Sequence, residues 1–367
     1  MPYLIDAHED MSWNWLNFGT DYSLSLAEIR AKEAGEIDCH RGGGSLCGWP
    51  EYSKGQVALV FGTYFITPKK YADGIWDRVV FANINEYGDL VRKSADYYHM
   101  LADKHPDKFR LVNSKRELAA VLQPWQQKNM TIDSPSQTPM GILNLIEGCE
   151  GLGTLEELEE WWQLGARVLG PVWAGTRFCG GSLEGKGFTS EGRQLLSALA
   201  EIGYILDVSH MNDESMATSL NEYEGAVIAT HANCRWLLRN PPNQRHLSQE
   251  NVRRMVERGG VIGVLPYAKF LRTDWDISDP NHQVSLEDLA NHIDAICQVA
   301  SSAEHVSIGT DFGCGFGWPS VPKEVNSIAD MQKLAPILQN RGYTTAQVEA
   351  IFHGNWERIL NQALPES

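Results

Sequence analysis

Positive charge is scarce in this chain of 367 residues: 31 Lys and Arg stand against 47 Asp and Glu, a formal net charge of -16. That deficit argues against electrostatic binding to nucleic acid or to an anionic membrane surface. It names no substrate, because acidity serves solubility as readily. Long hydrophobic runs are also missing, although 43% of the residues are hydrophobic. No run approaches membrane-spanning length, so no membrane partner is expected. Cysteine is sparse and unpatterned: Cys39, Cys47, Cys149, Cys179, Cys234, Cys297 and Cys314 form an odd set with no CxxC pair. This argues against a disulfide framework and for a reduced, cytoplasmic setting, with Cys39 and Cys47 as two free thiols of one loop. No basic, apolar leader precedes the opening MPYLIDAHED and no lipid-anchor signal closes the chain at LNQALPES, so neither is expected. Repeats and low-complexity segments are absent.

What the chain does have is an alternation of short apolar runs with longer amphipathic stretches, the pattern of βα units. The runs predict strands at 3–8, 56–66, 141–147, 166–172, 204–209, 226–231, 260–267 and 305–311. A closed (β/α)8 TIM barrel needs that number, and the α/β reading is a single barrel domain over 1–367. Helices are expected at 85–104, 154–164, 190–203, 212–220, 248–258, 285–300, 327–340 and 345–362. Thr154 with Glu157 has capping-box spacing, and Ser248 and Ser285 read as N-caps. The Gly-rich stretch 35–54 and the Asp/Pro/Asn-rich stretch 268–284 are expected as loops over the site, and 123–139 as an exposed connection.

Several strands end in metal-ligand residues. Asp6-Ala7-His8-Glu9-Asp10, Asp207-Val208-Ser209-His210 and Ala229-Thr230-His231 each follow a strand-length apolar run. Leu143 to Glu147 and Ile308-Gly309-Thr310-Asp311 have the same form. Strands that each deliver an imidazole or a carboxylate at their C-terminal end describe a metal site at a barrel mouth. His8 and Asp10 are two residues apart, so in a strand they face one side. A single strand-end His is more often a structural core residue. Two of them beside His8 and Glu147 shift the balance to a ligand set for zinc or a similar divalent ion. A carboxylate able to bridge suggests two ions and a shared hydroxide as nucleophile. Asp311 is placed to carry that proton to a leaving amine.

The set DxHxD, Glu147, DVSH, THAN and GTDF resembles the renal (membrane) dipeptidase family, metallopeptidases of the amidohydrolase superfamily. The likeness runs from Asp6 to Gly354-Asn355-Trp356-Glu357-Arg358. It implies a (β/α)8 barrel holding two Zn2+, with His8 and Asp10 on one ion, His210 and His231 on the other, Glu147 bridging and Asp311 as proton shuttle. It further implies a dipeptide-like substrate whose carboxylate meets Arg245, in Arg245-His246-Leu247-Ser248, where His246 replaces the family's Asn. Arg235, nearer His231, is the alternative. Tyr267 matches a Tyr near the substrate, and a homodimer is a further expectation. One departure stands out. Where the family carries a His at the end of the fourth strand, this chain has Trp173, and an indole N–H donates a hydrogen bond but never becomes cationic. Losing a polarising donor at an oxyanion costs about 2.7–4 kcal/mol. A second departure is Glu150, which would alter the surroundings of the metal ligands, meet a substrate amine or cap a surface helix. Trp173 keeps open an N-acyl amino acid, a lactone or another amide as substrate, and a non-catalytic metal-binding barrel is the remaining alternative.

Overall fold

The computed structural model describes residues 1–35, 44–74, 76–127, 138–278, 283–313 and 315–367. Its frame is eight strands: β1 Leu4–Glu9, β2 Val57–Tyr64, β3 Met140–Glu147, β4 Ala166–Gly170, β5 Ile205–Asp207, β6 Val227–Ile228, β7 Ile262–Val264 and β8 Val306–Ile308. Each lies within or nearly within a segment expected from the sequence. β1 through β6 form one parallel sheet in chain order, and β7 pairs with β8 in parallel. Single parallel bridges close the ring, Ala229 to Ile262 on one side and Glu9 to Phe312 on the other. The Asp311 N–H donates to the His8 carbonyl at 3.0 Å across the second seam. β2 and β3 are buried over their whole length, as strands covered on both faces must be.

Alternation along β3 decides what its end can do. Leu143 and Leu145 belong to one buried cluster, with Ile5, Phe61, Val168 and Ile228, while Ile142 and Ile146 pack in the other. Glu147 continues the parity of Leu143 and Leu145.

The helices follow their caps. The Ser248 hydroxyl accepts from Asn251 N–H at 3.1 Å, and Ser285 with Asp288 forms a capping box. The helix expected at 154–164 begins later, at Glu157, whose carboxylate reaches back to Thr154 N–H at 3.2 Å. The stretch expected as one helix over 345–362 is interrupted by a π turn, Ala350–Gly354. There the Ser307 hydroxyl takes the Ile351 carbonyl at 2.5 Å, which disturbs the regular ladder. Helices Met11–Phe18, Leu26–Glu33 and Lys115–Gln126 were not expected. Within 35–54, Trp49–Lys54 is a helix, and none of the described residues of this stretch lines the main cavity. Cys47 is buried and unbonded to another cysteine; Cys39 lies outside the described residues.

Candidate metal centre

The C-terminal ends of β1, β3, β5, β6 and β8 bring six side chains together. His8, Asp10 and Glu147 form one trio, Glu147, His210 and His231 a second, and His8, His231 and Asp311 a third; within each, ligand atoms lie within 4.8 Å of one another. His8 Nε2 is 3.4 Å from Glu147 Oε2, 3.8 Å from Asp10 Oδ2 and 3.7 Å from Asp311 Oδ1. The other Glu147 oxygen, Oε1, is 3.0 Å from His210 Nε2 and 3.4 Å from His231 Nε2. Glu147 thus stands between two half-sites with one oxygen toward each. All six residues are buried.

The electrostatics suit a cation at this point. Burial pulls the His8 imidazole down, but Glu147, Asp10 and Asp311 outweigh it and push its pKa up to about 10. Burial, then the charge of Glu147, lifts Asp10 well above the usual carboxylate range. Glu147 lies well below that range: burial opposes this, and the three imidazoles prevail. Burial and then the Arg245 guanidinium bring His210 down to about 4, and burial followed by His8 lowers His231. Neutral imidazoles at His210 and His231, with lone pairs next to crowded carboxylates, suit a divalent ion. Two orphaned polar atoms agree: His8 Nε2 and Asp10 Oδ2 are buried with no hydrogen-bond partner. The donor set therefore fits zinc or a similar metal.

A ring of Asp and Thr residues holds these side chains and their strand ends. Thr230 donates its hydroxyl to Asp207 Oδ2 at 2.6 Å, and its oxygen lies 2.8 Å from His231 Nδ1. A hydroxyl has one proton to give, so His231 must donate from Nδ1, which leaves the Nε2 lone pair facing Glu147. On the other side Asp6 accepts from Thr310 N–H at 2.7 Å and from its hydroxyl at 2.5 Å. Thr63 holds the second oxygen of Asp10. His210 and Asp311 both have positive φ, 68° and 62°. Both belong to the residue types enriched in the left-handed region, and both turn there toward the centre. Sequence reasoning missed these supports. Their signal was present: a Thr directly precedes His231 and Asp311, and an Asp precedes His8 and His210 by two or three positions.

A cavity of about 1100 Å³ opens above the centre, with Glu147, His210 and Asp311 in its lining. Arg245, Tyr267 and Trp173 line it too, as does much of 268–278. Arg235 does not line it: its Nη2 is 2.6 Å from Asp213 Oδ2. Glu150 caps neither a helix nor the cavity. It accepts from Trp173 and Ala174 N–H, at 2.6 and 2.9 Å, and so pins the loop that carries Trp173. Burial pushes its carboxyl up to about 7 against those two bonds. His246, seen in the sequence only as a departure, lines the cavity as well. Its Nδ1 accepts from Asn233 N–H at 3.2 Å, so the neutral ring carries its proton on Nε2. That nitrogen is buried without a hydrogen-bond partner. His246 is thus a donor, the opposite tautomer to His231.

A model of the family described as membrane dipeptidase (peptidase family M19) matches residues 2–365. The chain is 23% identical over 370 residues to an uncharacterized dipeptidase of Schizosaccharomyces pombe, covering 97% of this chain and 79% of that protein. It is 28% identical over 232 residues to an uncharacterized protein of Klebsiella pneumoniae, covering 60% of this chain and 82% of that one. The crystal structure of a metallopeptidase from Rhodobacter sphaeroides, liganded with a phosphinate mimic of the dipeptide L-Ala-D-Ala, shares the fold. Its TM-score is 0.79 at 19% identity, covering 99% of both chains.

Proposed function

The chain belongs to the membrane dipeptidase family, peptidase family M19, and on that footing we propose that it hydrolyses dipeptides with two divalent ions, most simply Zn2+. His8 and Asp10 would hold one ion, His210 and His231 the other, and Glu147 would stand between them. One observation carries this reading: imidazoles and carboxylates from five strand ends meet within 4.8 Å in each trio. Two such ions supply a Lewis acid for the scissile carbonyl and lower the pKa of water enough for attack at neutral pH. Asp311, in the cavity lining beside His8, takes the proton of the attacking water and hands it to the leaving amine. Arg245 receives the substrate carboxylate, since a guanidinium matches it with two parallel donors. Tyr267 and Trp173 flank the bound peptide.

The test is His210→Ala in zinc-loaded protein, assayed on a panel of L,L and L,D dipeptides with metal content measured alongside. The expected result is loss of activity by about 100-fold or more, with loss of bound metal. Wild-type turnover at full metal content would refute the ligand assignment.

A further inference from the structure

The cavity is built from two unlike sides. Phe65 and Trp76, in the segment after β2, and Trp173, after β4, form one side; the Phe65 and Trp173 rings are 5.3 Å apart. Trp173 also faces the His210 ring, with centroids 6.1 Å apart. Across the barrel, after β6 and β7, lie the polar donors. The Arg245 guanidinium sits 5.5 Å from the Phe270 ring centre, and His246 meets the same ring edge-on at 4.6 Å. Among the described residues, the cavity lining contributed after β2 and β4 includes one charged side chain, the exposed Asp73. A substrate held by its carboxylate at Arg245 and His246, with its scissile bond over Glu147 and Asp311, must project its other residue against Phe65, Trp76 and Trp173.

From this juxtaposition we propose that the substrate carries a large aromatic side chain on the residue N-terminal to the scissile bond. The inference rests on the hydrolytic reading above. The volume of about 1100 Å³ lies at or beyond the roughly 300–1,000 Å³ usual for small-molecule sites, and a pair of alanines would leave most of it to water. Aromatic walls gain most from a ring, which buries apolar area and stacks in offset or edge-on geometry. Trp173 takes on a role here: where the resemblance leads one to expect an imidazole over the carbonyl, this chain presents an indole face to the side chain beside it.

Two measurements on the zinc-loaded wild-type protein test this. The first is calorimetric binding of phosphinate mimics of Phe-Ala and Ala-Ala. The second is kcat/KM for Phe-Ala, Trp-Ala, Leu-Ala and Ala-Ala. The aromatic members should lead the alanine pair by roughly 10- to 100-fold in both, the effect of burying one large apolar side chain. In Trp173→Leu and Phe65→Leu that ratio should shrink at least threefold. Hydrolysis with Ala-Ala equal or preferred would overturn the inference and leave the dipeptidase reading standing. Tight, selective binding of the Phe-Ala mimic with no peptide cleaved would support the inference and count against the hydrolytic reading.

Discussion

Two buried histidines, His231 and His246, present opposite faces because of a single partner each. The Thr230 hydroxyl, committed to Asp207, forces His231 to donate from Nδ1 and present the Nε2 lone pair. The Asn233 backbone N–H, donating to His246 Nδ1, forces that ring to present Nε2–H as a donor. Residue type alone says "imidazole" in both cases. The grouping was legible because a His or Asp closing an apolar strand is unusual, and His8, Asp10, Glu147, His210 and His231 do meet in the structure. Their orienting partners were not legible: Thr and backbone N–H groups are everywhere, and only proximity makes one of them an aiming device. Thr230→Val should keep the fold and remove the aim. Zinc affinity or kcat/KM should fall about 10- to 100-fold, measured by competitive zinc titration and dipeptide hydrolysis. Wild-type values for both would show that the hydroxyl is idle.

At the scale of elements, the barrel closes where its strands are shortest. β6 has two residues and joins β7 through one bridge. Glycine makes this approach feasible. A Cβ at Gly263 or at Gly309 would meet the Thr230 carbonyl oxygen at 1.9 Å, so β7 and the end of β8 both press on the residue that orients His231. Gly263→Ala should displace Thr230, costing about 1–3 kcal/mol in urea unfolding and lowering the zinc content of the purified protein. Unchanged stability and unchanged metal would show that the seam has slack. The eight strands were readable from apolar runs bounded by turn residues. The extra helices were not. Met11–Phe18 follows directly on Asp10, and its buried face includes polar Ser12, Asn14 and Asn17. Ser12 and Asn17 bond backbone carbonyls, and Asn14 bonds the Tyr22 hydroxyl, so these polar residues satisfy local geometry rather than a hydrophobic period. Lys115–Gln126 carries Pro124 inside it, which reads locally as a break.

The whole molecule concentrates buried acid at one mouth of a barrel whose net charge is already -16. Asp10, Glu147 and Asp311 share a small volume with His8, and burying like charges together is costly without a compensating cation. Ions that bind only the folded state stabilise it by mass action, about 4 kcal/mol at a thousandfold excess over Kd. Dialysis against EDTA should therefore lower the melting temperature and abolish dipeptide hydrolysis, and zinc should restore both; a melting temperature indifferent to EDTA and zinc would place the metal outside the stability of the fold. The sequence by itself determined the βα rhythm, the eight strands and which residues close five of them, because period and residue type are local properties. Only the tertiary structure decided which atoms meet. It set Glu147 between two half-sites, chose Arg245 over Arg235 for the cavity, turned Glu150 into the anchor of a loop, and gave His246 its proton. Each of those outcomes depends on a partner many residues away, and distance in space is not written in local pattern.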